Sequence, residues 1–181
     1  DGHKRWSTNA TIADVAVIWA KDEDDTVRGF LVETDRDGVE TPPIDDSWSL
    51  RAAVTSEVVL DGVRVPDAAR LPEVSGLKGP LSCLTQARYG ICWGTIGAAM
   101  ACFDTARQHA QNREQFGGPI GRFQLMQERL VDMVQEITKA QLLNWRLGTL
   151  KEAGTMRPQQ VSLAKRNNCQ TALEIARSAR Q

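Results

Sequence analysis

Residues 87–124 read ARYGICWGTIGAAMACFDTARQHAQNREQFGGPIGRFQ, and this stretch decides the fold. Apolar side chains recur at helical spacing across residues 81–113, with Ile91, Ile96 and Phe103 among them. The Gly-Gly-Pro run at residues 117–119 then interrupts the pattern, as such residues do where a helix ends. The stretch therefore predicts one long helix that is followed by a tight turn.

Two further helices are predicted on the C-terminal side of this turn. Residues 123–153 carry apolar side chains on or near one face, such as Met133 and Ile137. Gly154 and Pro158 separate this segment from a third helix, which begins at the following residue. Long helices joined by short connections pack as antiparallel neighbours.

The first 70 residues have the composition of strands. Val, Ile and Ala occur in short runs that are bounded by Gly, Pro and acidic turn residues. The Asp61–Gly62 dipeptide is typical of a hairpin turn, so the runs on either side of it are predicted to pair. The predicted strands are residues 12–20, 27–33, 49–59 and 63–65.

The change in composition predicts two domains and an α+β fold. Residues 1–70 are expected to form part of an antiparallel β-sheet domain. Residues 71–80 contain two prolines and two glycines and are expected to form a linker. Residues 81–181 are expected to form long antiparallel helices of a bundle.

The composition excludes several classes of function. The 181 residues carry a net charge of −1, so the chain lacks the excess of basic residues that is typical of nucleic-acid binding. No apolar run has the length of a membrane span. His3 and His109 have no matching ligand set, so no metal site is predicted.

The four cysteines contain no C-x-x-C pair and are predicted to be reduced thiols. The KRNN run at residues 165–168 is predicted to be a solvated helix face or a subunit contact.

A cation, an aromatic ring and a glycine turn follow one another where the first helix ends. Arg113 suits the negative end of the helix dipole and Gly117 provides the stop, so the segment can be a helix terminus and nothing more. A fixed Arg beside Phe116 can also bind a pyrophosphate and pack against an adenine or a ribose. The residue types alone leave both interpretations open.

Two other segments combine an apolar surface with a polar group. Leu81, Leu84 and Arg88 share one helix face, on which the Arg is paired, lies at the solvent boundary, or contacts a ligand. The Trp-Ser-Thr run at residues 6–8 is either simple packing at a strand edge or a flat apolar wall with hydroxyl groups for a planar cofactor ring.

The order of these motifs resembles the flavin-dependent acyl-CoA dehydrogenases, and within that family the glutaryl-CoA dehydrogenases. The similar segments are W-S-T at residues 6–8, A-R-Y-G-I at residues 87–91, and the R-x-x-F-G-x-P-I run with its later Gln at residues 113–124. Ser7 stands where many members have Ile. The resemblance implies FAD contacts for Trp6, Ser7, Thr8, Arg113, Phe116 and Gln124. It implies acyl-CoA contacts for Leu81, Ser82, Cys83, Leu84, Thr85, Gln86, Ala87 and Arg88.

The resemblance also implies an activity and partners. In this family a Glu removes the α-proton of an acyl-CoA thioester and the β-hydride goes to the flavin, after which the electrons pass to an electron-transferring flavoprotein. The glutaryl branch includes members that decarboxylate. The implied assembly is a homotetramer built through a C-terminal four-helix bundle. The implied compartment is the cytoplasm in a bacterium or the mitochondrial matrix in a eukaryote.

No catalytic residue is assigned within residues 1–181, because the segment that carries the family's Glu has no counterpart in them. Glu174 lies in the wrong sequence context for that role. The chain is therefore expected to be a fragment that is inactive alone. Two alternatives stay open: an acyl-CoA dehydrogenase or oxidase of another branch, and a non-catalytic module for CoA binding or oligomerisation.

Overall fold

Antiparallel strands precede three long helices in the computed structural model, which describes all of residues 1–181. The chain divides into two compact units, Asp1–Ser82 and Cys83–Gln181. The first unit contains the main sheets, and the second contains most of the helical residues. The predicted α+β class is confirmed.

The first unit holds five strands, β1 (Gly2–Thr8), β2 (Val15–Lys21), β3 (Val27–Glu33), β4 (Val39–Glu40) and β5 (Thr55–Leu60). The central strand of a three-stranded antiparallel sheet pairs with one strand on each edge, in the order β1-β5-β4. A separate hairpin pairs β2 with β3 over seven residues of each strand. Buried apolar side chains from the strands form one core, which includes Ile18, Val32 and Val58.

The strands predicted at residues 12–20 and 27–33 are present and pair as the β2–β3 hairpin, but the predicted pairing across Asp61–Gly62 is wrong. Residues 63–65 form no strand, because both edges of β5 are already occupied by β1 and β4. Val63 and Val65 instead pack against the core without ladder hydrogen bonds. The predicted strand at residues 49–59 is also too long, since only Thr55–Leu60 is extended and paired. β1 and β4 were not predicted from the sequence.

A close backbone approach joins β4 to β5. Gly38 has φ +83°, and a Cβ atom at this position would lie 2.1 Å from the carbonyl oxygen of Asp61. The Asp61 N–H donates to the carbonyl of Gly38 at 2.9 Å. Only glycine combines this backbone conformation with the absence of a Cβ atom.

The three predicted helices are confirmed with small shifts of their ends. The first begins at Lys78 and therefore includes Gly79 and Pro80. Pro80 fits there because the first N–H groups of a helix have no intrahelical acceptor. Pro158 likewise occupies the first position of the third helix. The helices are α1 (Lys78–Asn112), α2 (Gln124–Glu152) and α3 (Pro158–Ala179).

A buried polar network connects the three helices. Asn144 of α2 and Asn168 of α3 both donate to the carbonyl oxygen of Cys92 in α1, at 2.9 Å and 3.0 Å. Asn168 also donates to Oδ1 of Asn144 at 2.7 Å. Asn144 and Asn168 are 1% and 0% exposed. The prediction of a solvated face or subunit contact at residues 165–168 is therefore wrong for Asn168, whose amide finds partners inside the bundle.

The helical core is built from small and medium-sized side chains around this network. Ala99, Ala140 and Ala164 are fully buried, which lets the helix backbones approach closely. No helix combines the length and the apolar character needed to cross a membrane. The four cysteines are free thiols, with Cys83 exposed and Cys92 buried.

Candidate functional site

A short hairpin follows α1 and carries the candidate cofactor residues. It consists of β6 (Glu114–Gln115) and β7 (Gly118–Pro119), joined by a two-residue turn. Arg113 lies directly after α1, and its carbonyl accepts the N–H of Ile120 at 2.8 Å, which closes the hairpin. Gln124 is the first residue of α2. Arg113 therefore immediately precedes the hairpin, Phe116 lies at its tip, and Gln124 follows it at the start of α2.

Phe116 is exposed and its backbone is strained. Phe116 and Gly117 occupy the turn with φ +54° and +84°. Two positive φ values match the right-handed twist of a hairpin, but a bulky residue rarely adopts one of them. The Phe116 side chain is 86% exposed. An aromatic ring held in a strained turn without burial presents a flat apolar face to whatever approaches the hairpin.

Arg122 holds this turn, a role that was not predicted from the sequence. Its guanidinium donates to the carbonyl oxygen of Phe116 and, at 3.3 Å, to that of Gly117. The same group lies 5.1 Å from the centre of the Phe123 ring. The rings of Phe116 and Phe123 meet edge to face at 6.0 Å. A signal was present in the sequence, since Arg122 and Phe123 come shortly after the turn, but spacing alone does not tell which carbonyls an Arg will reach.

The candidate substrate residues lie in the first turns of α1. Most of them are exposed, and Leu81 and Leu84 have 53% and 48% of their surface accessible. Ser82 Oγ donates to the carbonyl of Gly79 at 2.7 Å, and Gln86 accepts a hydrogen bond from Lys151 Nζ at 2.9 Å. Ser82 and Gln86 therefore have partners inside the chain, and the exposed side chains of the two leucines offer apolar surface.

Arg88 lines a basic groove between α1 and α3. The groove has a volume of about 590 Å³ and also contains Lys165 and Arg166. None of these three cations takes part in a salt bridge. The groove contains no carboxylate of its own, so its charge favours an anionic group. The remaining lining residues are Ser162, Cys169, Gln170 and Leu173.

Trp6 lies at an irregularity in β1. The pairing of β1 with β5 shifts register between Lys4 and Ser7, and Trp6 adopts φ +64° there. The Trp6 ring is 65% exposed, with the Arg5 guanidinium 5.4 Å from its centre. The bulge turns the ring outward, and the next residues, Ser7 and Thr8, resume the ladder opposite Ser56 and Thr55.

The structure does not gather all the candidate residues at one place within one copy. Arg88 lies in α1 and Arg113 directly follows it, and their separation of 25 positions corresponds to about 38 Å of helix. The helical unit therefore carries two separate surfaces, the basic groove near Arg88 and the hairpin at residues 113–124. The chain contains no cluster of His, Cys, Asp or Glu residues that could hold a metal ion.

Comparison with known proteins gives two family matches that together cover most of the chain. The model described as acyl-CoA dehydrogenase, middle domain, matches residues 1–63. The model described as acyl-CoA dehydrogenase, C-terminal domain, matches residues 75–181. The two matches follow each other in the order expected from the resemblance.

Similar solved structures and relatives agree with these matches. A glutaryl-CoA dehydrogenase from Mycobacterium smegmatis is 53% identical with a TM-score of 0.95, over 99% of this chain and 46% of that chain. A second structure of a glutaryl-CoA dehydrogenase from the same organism, in complex with FADH2, is 48% identical with a TM-score of 0.96, at the same coverage. A probable short/branched chain specific acyl-CoA dehydrogenase from Dictyostelium discoideum is 34% identical over 99% of this chain and 44% of its own length.

The chain spans about half the length of these relatives. The agreement covers both units of the chain and includes the hairpin and the first turns of α1. The predicted resemblance is confirmed, and the chain belongs to the acyl-CoA dehydrogenase family.

Proposed function

We propose that this chain is part of an FAD-dependent enzyme that dehydrogenates an acyl-CoA thioester between its α and β carbons, and that glutaryl-CoA is its substrate. The observation that carries the proposal is the hairpin, where a strained and exposed Phe116 follows the cation of Arg113 by three residues in the chain. The identity to two glutaryl-CoA dehydrogenases, at 53% and 48%, supports the choice of branch.

The residues at the hairpin fit the chemistry of a flavin dinucleotide. FAD has flat ring systems joined by a pyrophosphate, and these require an apolar face and a cation that is free to bind phosphate. Phe116 offers an exposed ring, and Arg113 forms no salt bridge in the chain. We assign FAD contact to Arg113, Phe116 and Gln124 on this surface. FAD supplies a two-electron hydride acceptor when it is bound.

The β unit contributes the second proposed FAD surface. Trp6 turns a largely exposed ring outward at the β1 bulge. Ser7 and Thr8 follow it with hydroxyl and backbone groups that can donate hydrogen bonds to ring heteroatoms. We assign contact with the isoalloxazine ring to Trp6, Ser7 and Thr8.

The helix separation supports an arrangement of more than one copy. Arg88 and the hairpin are about 38 Å apart along α1, so one copy does not present both surfaces to the same reacting centre. We propose that the hairpin of one copy contacts an FAD whose isoalloxazine ring is held by another copy in a homotetramer. The exposed apolar side chains of the helices, such as Trp145 and Leu163, are consistent with self-association.

We propose acyl-CoA contact for the first turns of α1. Leu81 and Leu84 provide apolar surface for the acyl or pantetheine chain, and Arg88 brings positive charge from the basic groove. The remaining residues of the predicted set, Ser82, Cys83, Thr85, Gln86 and Ala87, lie between these anchors along the same turns. No residue of the chain is assigned as the base, since Glu174 accepts a hydrogen bond from Gln170 and does not line the groove.

The remaining parts of the proposed function concern electron transfer and compartment. We propose that the reducing equivalents pass to an electron-transferring flavoprotein and that decarboxylation follows when the acyl group is glutaryl. The proposed compartment is the bacterial cytoplasm or, in a eukaryote, the mitochondrial matrix.

Reductive titration of the protein expressed from its complete gene tests the proposal. The purified protein is reconstituted with FAD and mixed under anaerobic conditions with glutaryl-CoA or butyryl-CoA while the flavin absorbance is followed. Glutaryl-CoA is expected to bleach the flavin at lower concentration than butyryl-CoA. Gas analysis for CO2 in the presence of an electron acceptor tests decarboxylation.

Each other outcome has a definite meaning. Bleaching by butyryl-CoA alone would leave the reaction class in place and assign the protein to a short-chain branch. Rapid reoxidation by air would favour an oxidase. A complete gene product that binds no flavin would replace the enzyme with a non-catalytic binding or oligomerisation module.

A further inference from the structure

Two unfavourable features coincide at Phe116. Its φ of +54° is costly for a residue with a bulky side chain. Its ring is 86% exposed and therefore gains almost no stabilisation from burial. Something in the surrounding structure has to hold the residue in this conformation, because a free loop would relax to negative φ.

The Arg122 guanidinium supplies the contacts that do this. It donates to the carbonyl oxygens of both turn residues, Phe116 and Gly117. The guanidinium also lies over the ring of Phe123, which meets the ring of Phe116 edge to face. One side chain thus fixes the backbone of the turn and, through Phe123, the direction of the Phe116 ring.

We propose that Arg122 is a positioning residue that holds the turn so that the Phe116 ring is presented to the cofactor. Arg122 acts through Phe116 and is not itself a cofactor contact. The inference rests on the proposed function for its cofactor and on the hydrogen bonds of the hairpin for its mechanism.

The fork of the guanidinium is the essential feature. Two carbonyls and one ring are contacted at once, which a planar group with several N–H donors can do. A lysine keeps the charge but offers a single compact ammonium, so Arg122→Lys is expected to hold the turn only in part. Arg122→Gln removes the charge and most of the contacts.

Gly118 provides a second variant that keeps the charge of Arg122 unchanged. A Cβ atom at Gly118 would lie 2.8 Å from Nη1 of Arg122, so alanine there displaces the guanidinium. Gly118 has no positive φ, and alanine is therefore compatible with its backbone. Gly118→Ala moves the Arg122 side chain, whereas Arg122→Gln deletes it.

The first measurement is amide hydrogen exchange of the FAD-free complete gene product, read on peptides that cover residues 114–120. We expect exchange to accelerate roughly tenfold in Arg122→Gln and in Gly118→Ala, because the turn opens more often. Arg122→Lys should lie between these variants and the parent protein. Arg146→Gln, an exposed site on α2, is the charge-matched control and should leave exchange unchanged.

The second measurement is the affinity of the same proteins for FAD, followed by flavin fluorescence. The two disruptive variants should bind FAD about tenfold more weakly, with Arg122→Lys again intermediate. The ranking of the variants should be the same in both measurements. Unchanged helical circular dichroism in every variant would exclude a general loss of fold as the cause.

Three results would overturn the inference. Unchanged exchange in Arg122→Gln would show that the turn holds its conformation without this side chain. Weak FAD binding by Arg122→Gln with full binding by Arg122→Lys and Gly118→Ala would make Arg122 a direct charge contact. Normal FAD affinity in a variant whose turn exchanges rapidly would separate the turn from the cofactor. A parent protein without FAD affinity would instead contradict the proposed function, and the exchange arm would still decide whether Arg122 holds the turn.

Discussion

Asn168 of α3 donates its side-chain amide to Oδ1 of Asn144 in α2 at 2.7 Å, and both residues donate to the carbonyl of Cys92 in α1. All of these atoms lie in the interior of the bundle, where an unpaired polar group is expensive. Oδ1 of Asn168 is also paired, with the amide of the neighbouring Asn167 at 3.1 Å. The network is therefore almost fully satisfied and fixes one register for three helices.

Replacing Asn168 with alanine should destabilise the helical unit by about 2 kcal/mol, because Asn144 Oδ1 loses its buried donor. Urea unfolding followed by helical circular dichroism measures this change. Asn167→Ala is the matched control, since Asn167 is exposed and gives up only one hydrogen bond. Equal stability of the two variants would mean that the buried network contributes nothing measurable.

Cys92 should make stability fall at alkaline pH. Burial raises the pKa of the Cys92 thiol above its ordinary value, and the nearby Cys169 thiol adds to the effect. The unfolded chain then ionises this thiol first, so the contribution is complete below the unfolded pKa of about 8.5 and declines as pH rises above it. The free energy of unfolding should fall more steeply between pH 8 and 10 in the parent than in Cys92→Ser. Parallel slopes would contradict the assignment.

Asp22 should contribute stability that is lost in acid. The Arg28 guanidinium, 2.8 Å away, and the N–H of Thr26 hold the pKa of the Asp22 carboxyl below its ordinary value. The contribution is present above the unfolded pKa of about 3.9 and disappears as pH falls through the lower folded pKa. Asp22→Asn should therefore be less stable than the parent at pH 7, with the difference shrinking below about pH 4. Asp24→Asn, at an exposed carboxylate in the same turn, serves as the control.

Alanine at Gly97 should stabilise the chain. Gly97 lies in the interior of α1, and a Cβ atom built on it meets nothing within 4 Å, as is also true of Gly90 and Gly94. Alanine is favoured over glycine in such positions by about 1 kcal/mol. Thermal unfolding and analytical ultracentrifugation together check the prediction. A Gly97→Ala variant that loses stability and dissociates would instead show that a second copy packs against this face.

The helices could be predicted from the sequence because their signal is local. Residues three and four apart set the apolar face of each helix, and Gly-Pro punctuation set the ends to within about three residues. The strand pairing could not be predicted in the same way. Whether residues 63–65 pair with β5 depends on β1 and β4. Both strands compete for the same edges of β5, although they are distant from residues 63–65 in the sequence.

The polar residues show the same difference between what local sequence predicts and what only distant packing decides. Asn168 stands in a run of charged and amide side chains that is typical of a solvent-facing helix, and only the approach of α1 and α2 makes its amide a buried donor. Arg122 was visible as a cation after a turn, but its two acceptors are backbone carbonyls, which every residue possesses. Sequence patterns indicate which side chains can donate hydrogen bonds. They do not indicate which of the many identical backbone carbonyls will accept those hydrogen bonds.

Gly38 has a consequence for reading natural variation in this protein. The site is on the surface of the β unit, remote in sequence from the hairpin and the first turns of α1, and a substitution there would look harmless by position. Yet any side chain would collide with the Asp61 carbonyl while forcing an unfavourable φ. A missense change at Gly38 should therefore reduce the amount of folded protein in the cell and leave the activity of the remaining folded molecules intact. Such a variant would be rescued by a small molecule that stabilises the folded state, and not by extra substrate.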